Sequence, residues 1–157
     1  MGIVVQKFGG TSVADSEKIK NVADAVIKEK LNGNKVIVVV SAMGHTTDNL
    51  IKLSKEITTT PPEREMDMLL STGEQVSMAL LAMAINQKGH KAVSLNAMQV
   101  GIMTEPNHTR ARIIDIKHNR VNSHLDKGEI VIIAGFQGIT KDGEITTLGR
   151  GGSDTSA

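Results

Sequence analysis

Two glycine-rich segments have residue types that suit the binding of an anion. Residues 7–12 read Lys-Phe-Gly-Gly-Thr-Ser, and residues 147–155 read Thr-Leu-Gly-Arg-Gly-Gly-Ser-Asp-Thr. Glycines leave backbone N–H groups uncovered, while lysine supplies a point charge and arginine a bidentate pair of donors. Each segment also fits a plainer interpretation. The first can be a turn with a solvated lysine, and the second a loop in which Ser153 or Asp154 starts a helix.

Two other segments carry weaker signals. Residues 41–47, Ser-Ala-Met-Gly-His-Thr-Thr, follow an apolar run, so their hydroxyls could face a ligand. Ser71 and Glu74 have the spacing of a helix capping box, in which the glutamate is purely structural. A carboxylate at this position can also hold an ammonium group. The residue types alone favour the capping box.

Composition excludes several classes of function. The 157 residues have a formal net charge of +1 and 1% aromatic residues, which gives neither a basic surface nor a stacking platform for nucleic acid. There is no cysteine, and the five histidines lack ligand spacing, so we predict no protein-bound metal. No apolar stretch is long enough for a membrane span, and the N-terminus does not resemble a secretory signal. We predict a cytoplasmic protein with no nucleic-acid or membrane partner.

Hydrophobic periodicity predicts an α/β domain with a mainly parallel sheet. The β-branched runs at 36–40 and 130–134 are typical of strands buried on both faces. Further strands are predicted at 3–6, 92–95 and 101–104, with a hairpin turn at Asp142-Gly143. Helices are predicted around 19–31, at 47–57, 63–87 and 121–125. Seven residues on one side of the third helix are expected to pack inward: Met66, Leu69, Leu70, Val76, Leu80, Met83 and Ala84. The methionines Met66, Met78 and Met83 are expected to be core residues. Because ligands bind beyond the carboxyl ends of parallel strands, the polar glycine-rich segments stand where a site is expected.

Five segments, in this order along the chain, resemble the motifs of the aspartate kinases. They are residues 7–13, 41–44, 64–74, 134–138 and 146–155. The resemblance implies the amino acid kinase fold, a mostly parallel sheet between helical layers. It also implies phosphorylation of the side-chain carboxylate of L-aspartate by ATP with Mg²⁺, the entry step to lysine, threonine, methionine and bacterial diaminopimelate. The segments look most like the bacterial forms controlled by lysine and threonine.

On the phosphoryl-transfer side, the resemblance implies a role for each matching residue. Lys7 would neutralise charge on the transferring group, Gly9 and Gly10 would offer it backbone amides, and Ser41 would lie beside its path. Asp154 would organise Lys7. These roles agree with the chemistry, since phosphoryl transfer depends on positioning and electrostatics.

On the aspartate side, Arg150 would bind the α-carboxylate and Glu74 the α-ammonium group. Thr47 and Ser153 would add hydrogen bonds. For Glu74 the resemblance therefore favours binding over capping, although one carboxylate could do both.

By the same resemblance, residues 1–157 are expected to be the N-terminal portion of one amino acid kinase catalytic domain. Adenine and ribose contacts, and the regulatory domains, would lie beyond Ala157, so that this chain alone would be inactive or nearly so. The complete enzyme is expected to be an oligomer. Two alternatives stay open: a kinase for another small amino acid, such as glutamate or acetylglutamate, and a non-catalytic half-domain that binds a ligand or partner. A dinucleotide-binding dehydrogenase is disfavoured by the glycine spacing.

Overall fold

The computed structural model describes residues 2–149 and 151–157, and these form alternating strands and helices. The strands are β1 (Ile3–Phe8), β2 (Lys35–Val40), β3 (Ala92–Leu95), β4 (Ile102–Thr104), β5 (Ile113–Ile116), β6 (Ile130–Ala134), β7 (Gln137–Ile139) and β8 (Ile145–Thr147). The helices are α1 (Ser16–Leu31), α2 (Thr46–Ile57), α3 (Glu63–Gln87), α4 (Ala97–Val100), α5 (Asn119–Asp126) and α6 (Gly152–Ser156). A 3-10 helix covers Gly10–Val13.

Two sheets organise these strands. The main sheet is parallel throughout, in the order β1-β2-β6-β3. The smaller sheet has the order β5-β4-β7-β8, with antiparallel β4–β5 and β7–β8 pairs and one parallel pair, β4–β7. The predicted parallel sheet between helical layers is confirmed, and so is the hairpin around Asp142-Gly143, which joins β7 to β8. The smaller sheet as a unit was not predicted.

The main sheet is buried on both faces because β2 and β6 send alternate side chains to opposite sides. Val38 and Ile132 pack with residues of α1 and α3, whereas Val39 and Ile133 pack with residues of α4 and α5. Every residue of β6 is buried. This two-sided burial explains the continuous β-branched runs, and it leaves the carboxyl ends of the strands as the place where loops can form a site.

The orientation of α3 differs from the sequence prediction. Val76, Leu80 and Met83 were expected to face the core, but they are 51%, 38% and 64% exposed. The buried side of α3 instead combines apolar residues with four polar ones: Leu70, Met78, Leu81, Ile85, Asp67, Ser71, Glu74 and Ser77. The prediction was right for Leu70 and Met78, which are buried. Apolar residues occur on both sides of this helix, so hydrophobicity alone did not separate its buried side from its exposed side.

Among the described residues, α3 is the one helix whose length and composition would suit a membrane span. Of its most apolar 18-residue stretch, 50% is buried within the fold. Its buried side also carries the carboxyl groups of Asp67 and Glu74. These are properties of a helix that belongs to a protein core.

We expect Ile132→Ala to lower the free energy of unfolding by about 3 kcal/mol, because it leaves a cavity at a fully buried position on β6, on the face that packs against α1 and α3. The matched control is Ile114→Ala on β5, where the side chain is 52% exposed and the loss should stay below about 1 kcal/mol. Urea titration followed by circular dichroism measures both. Equal losses would contradict the two-sided core.

Candidate active site

A cavity of about 520 Å³ opens where the segments after β1, β2, β6 and β8 meet. Its wall includes most of the residues that the sequence singled out: Lys7, Gly10, Ser41, Thr47, Glu74, Ser153 and Asp154. Gly9 is not among the described residues that line it. The structure thus brings the first and last glycine-rich segments of the chain to one place.

Arg150 lies outside the described residues, so its contact with an α-carboxylate stays a prediction. Its sequence neighbours Gly149 and Gly151 both line the cavity, together with Lys7. Both glycines have positive φ angles, 79° and 74°. Residues with a Cβ rarely adopt this conformation, so the glycines on either side of residue 150 are needed for the course of the chain.

Lys7 and Asp154 form an ion pair at the cavity, with 2.7 Å between Nζ and Oδ1. Lys7 is the penultimate residue of β1, and Asp154 lies in the first turn of α6. Their side chains are 34% and 70% exposed, so solvent screens the pair and it adds little to stability. What the pair provides is a defined position for the lysine ammonium group.

Ser41 and Ser153 join the end of β2 to α6, since Ser41 Oγ donates to Ser153 Oγ at 3.0 Å. This contact requires a glycine at residue 135, because a Cβ there would lie 2.8 Å from Ser153 Oγ. The expectation that Ser153 or Asp154 starts the helix is wrong by one or two residues. Helix α6 begins at Gly152 with Gly151 as its N-cap, and no side chain of the described residues caps it.

Gly10 serves close packing between loops. Its carbonyl oxygen accepts from the N–H of Gly44 at 2.9 Å, and a Cβ on Gly10 would lie 2.9 Å from the carbonyl oxygen of Ala42. The segments after β1 and β2 can therefore approach only because residue 10 has no side chain. This structural requirement exists beside any amide that Gly10 offers to a phosphate.

Glu74 is not part of a capping box. Helix α3 runs without a break through Ser71, whose hydroxyl donates to the carbonyl oxygen of Met68 at 2.9 Å. Glu74 is 3% exposed, and its Oε2 atom has no hydrogen-bond partner within the described part of the chain. Burial raises the pKa of this carboxyl to about 7, against a smaller lowering by the backbone N–H groups of Glu74 and Ala42.

Phe136 lines the same cavity in a conformation that is unusual for a residue with a side chain. Its φ angle is 69°, which costs on the order of 1 kcal/mol. The N–H of Leu148 donates to its carbonyl oxygen at 2.9 Å, and the hydroxyl of Ser156 accepts from its N–H at 3.2 Å. These bonds hold the strained residue between β6 and β7, next to Gly152.

The comparisons with known proteins agree with this geometry. The sequence profile of the amino acid kinase family matches residues 2–157. The chain belongs to the amino acid kinase family. It is 64% identical over 157 residues to an aspartokinase of Geobacillus stearothermophilus and 61% identical to one of Bacillus sp. (strain MGA3). All of this chain is covered in both cases, but it spans only 39% and 38% of those relatives.

Solved structures of this family share the fold. The aspartate kinase from Synechocystis matches with a TM-score of 0.83 at 52% identity, over 99% of this chain and 25% of that one. E. coli aspartokinase III in complex with aspartate and ADP matches with a TM-score of 0.84 at 26% identity, over 97% and 44%. The predicted resemblance to aspartate kinases and the predicted amino acid kinase fold are confirmed.

Sequence reasoning missed two hydrogen bonds that join α3 to the segment after β2 and to β7. Ser77 Oγ donates to the carbonyl oxygen of Ser41 at 2.7 Å, and Gln137 Nε2 donates to that of Ser71 at 3.0 Å. The signal was in the sequence, because four polar residues recur at intervals of four, three and three along one side of an apolar helix: Asp67, Ser71, Glu74 and Ser77.

The raised pKa of Glu74 predicts how stability changes with pH. In the unfolded chain the carboxyl loses its proton near pH 4.5, whereas in the folded protein it keeps the proton up to about pH 7. The folded state therefore binds more protons in this range, and this group makes the free energy of unfolding fall as pH rises from about 4.5 to about 7. Glu74→Gln should be more stable than wild type by up to about 3 kcal/mol near pH 8, with no such gain near pH 4.

Thermal melts across this pH range compare the two proteins, with the exposed Glu56→Gln as the control for removing a carboxylate. If wild type and Glu74→Gln lose stability in parallel as pH rises, the buried carboxyl does not titrate in this way.

Proposed function

We propose that this chain provides the aspartate site and the phosphoryl-transfer loops of an aspartate kinase. The reaction is transfer of the γ-phosphoryl group of ATP to the side-chain carboxylate of L-aspartate, which gives 4-phospho-L-aspartate. One observation carries the proposal: a single cavity holds Glu74, a buried carboxyl whose Oε2 atom has no partner among the described residues, and a lysine, Lys7, positioned by Asp154. Since the chain spans 38% and 39% of its relatives, the proposal concerns the complete protein that contains it.

The aspartate would bind with its ammonium group at Glu74. An adjacent cation favours the ionised carboxylate, so binding would lower the pKa of Glu74 below its value in the empty cavity. Arg150, between two glycines whose backbone lines the cavity, would take the α-carboxylate as a bidentate partner. Thr47 and Ser153, which also line the cavity, would donate hydrogen bonds. The side-chain carboxylate of the substrate would then be directed towards Lys7.

In the transfer step, an oxygen of that carboxylate forms a bond to the γ-phosphorus while the bond from phosphorus to the β–γ bridging oxygen breaks, and ADP leaves. The nucleophile is already ionised, so no general base is needed. Lys7 would neutralise charge on the transferring group, Gly9 and Gly10 would offer it backbone amides, and Ser41 would lie beside its path. The Mg²⁺ that accompanies ATP would add charge neutralisation. No group of three or more acidic or histidine side chains in the described chain could hold a metal, so we propose that it binds mainly through ATP oxygens.

The pathway, location and assembly follow the same reasoning and are proposals too. We place the reaction in the biosynthesis of lysine, threonine and diaminopimelate, in the cytoplasm, and expect the complete protein to be an oligomer. Adenine and ribose contacts are proposed to come from sequence outside residues 1–157. The structure of E. coli aspartokinase III with lysine and aspartate, with a TM-score of 0.85 at 26% identity, supports the lysine pathway.

Trapping of the acyl phosphate with hydroxylamine tests the reaction. The complete protein, given ATP and Mg²⁺, should yield a hydroxamate with L-aspartate but not with L-glutamate or N-acetyl-L-glutamate. Turnover of either of these in place of aspartate would instead identify a kinase for another acid. Binding of aspartate without any hydroxamate would favour a non-catalytic binding domain. The isolated chain of 157 residues should give none.

Two substitutions separate transfer from capture. In the complete protein, Lys7→Ala should reduce turnover by about a hundredfold, equivalent to about 3 kcal/mol, with a smaller effect on aspartate binding. Arg150→Ala should chiefly raise the KM for aspartate. Steady-state kinetics measures both, with Lys20→Ala, an exposed lysine on α1, as the control. Unchanged turnover in Lys7→Ala would remove the role proposed for that residue.

A further inference from the structure

Asp67 is a fully buried carboxylate that is bonded to two other parts of the chain. It lies on α3 and is 0% exposed. Thr147 Oγ1, at the end of β8, donates to its Oδ1 at 2.6 Å. The N–H of Thr109 lies 3.0 and 3.1 Å from its two oxygens, and His108 Nδ1 is 2.8 Å from Oδ2. One carboxylate therefore ties the β4–β5 loop and the end of β8 to the same helix.

The two segments bound by Asp67 also support each other next to the cavity. The N–H of Ala111 donates to the carbonyl oxygen of Thr147 at 3.0 Å. Gly149 lies against the loop, since a Cβ there would be 3.4 Å from the carbonyl oxygen of Thr109. Thr109 has a φ of 64°, a costly conformation for a β-branched residue. The hydrogen bonds from its N–H to Asp67 offset part of this conformational cost. The carboxylate thus fixes the base from which the glycine-rich segment starts.

Asp67 is not among the described residues that line the cavity, so any effect on a ligand passes through its partners. It stands seven residues before Glu74 on the same buried side of α3, a rise of about 10 Å along the helix axis. The same helix therefore carries Glu74 at one wall of the cavity and Asp67, which anchors the glycine-rich segment that forms another wall. The seven-residue spacing between Asp67 and Glu74 sets the distance between these two points.

We propose that Asp67 is a positioning residue for the amino acid site: through Thr147 it holds Gly149, and with it the glycine-rich wall of the cavity, at a set distance from Glu74. This inference rests on the proposed function, in which these two walls bind the α-ammonium and α-carboxylate groups of the substrate. It assigns to Asp67 control over capture of the amino acid, not over ATP binding. Loss of the Asp67–Thr147 bond should let the glycine-rich wall shift while the rest of the fold remains.

The decisive variant is Thr147→Val in the complete protein, which keeps the shape of the side chain and removes the donor. The KM for aspartate should rise about tenfold, in line with loss of a hydrogen bond to a charged group, while the KM for ATP stays within about twofold. Thr147→Ser keeps the hydroxyl and should restore the low KM. Thr146→Val is the matched control, because it removes a neighbouring buried hydroxyl of β8 that bonds to Thr104 instead, at 2.6 Å.

Hydrogen exchange measured by mass spectrometry, without substrates, gives a readout that does not depend on activity. In Thr147→Val and Asp67→Asn, exchange should increase in peptides covering residues 108–111 and 148–152, and stay unchanged in β2 and β6. If wild type forms the aspartyl hydroxamate and Thr147→Val raises the KM no more than Thr146→Val does, the positioning role is wrong. If wild type phosphorylates no aspartate although exchange changes as expected, the proposed function fails and the anchoring by Asp67 stands.

Discussion

The buried polar side of α3 is the constraint on which the site depends. A polar group removed from water must find a partner inside the protein, because an unpaired one costs roughly 1–3 kcal/mol or more. Ser77 bonds to the segment after β2, Asp67 bonds to the end of β8, and the buried side chain of Gln137, at the start of β7, donates to the backbone carbonyl of Ser71. The segment after β2 and the strands β7 and β8 are thereby held against one helix, and the cavity lies beside these contacts, lined by Ser41 and Glu74 among others.

Glu74 is the exception on this side of the helix, and this exception points to a ligand. Its Oε2 atom has no partner in the described part of the chain, and its burial favours the neutral form. One other buried side-chain atom of the described residues, Gln6 Oε1, also lacks a partner, but Gln6 is not among the described residues that line the cavity. An unpaired buried carboxyl is kept at a cost in stability. A ligand with an ammonium group would supply the missing partner. The loss of stability in the ligand-free protein is thus consistent with a favourable contribution to the binding free energy when a ligand occupies the cavity.

Much of the fold could be predicted because its signals are local. The bounds of α3, β3 and β6 agree with those expected from hydrophobic periodicity, since long apolar elements between clear breaks leave few alternatives. Strand β5 was missed because it has four residues and is mostly exposed, so it has no buried pattern. The helix α4 is also four residues long, too short for periodicity to reveal it.

The sequence predicted that several residues would lie together, but it did not predict the contacts that hold them there, and their roles stay predictions. Motifs placed Lys7, Ser41, Glu74 and Ser153 together, and the cavity contains them. The contacts of Asp67 and Ser77 were not predicted because their partners are more than thirty residues away in the sequence. Spacing along one helix also does not show which side of the helix will be buried. The capping-box interpretation failed for a similar reason. A local pattern at Ser71 was compatible with a helix start, but the surrounding apolar residues continue the helix through it.

Calorimetric titration of the complete protein with L-aspartate tests the central claim most directly. At about pH 6, below the pKa of about 7 for the empty site, Glu74 is mostly protonated and must lose its proton to hold an ammonium group. Titrations in buffers of different ionisation enthalpy should therefore show the release of a large fraction of one proton per aspartate bound, and Glu74→Gln should abolish it. Aspartate binding without proton release, or with the same release in Glu74→Gln, would contradict the account.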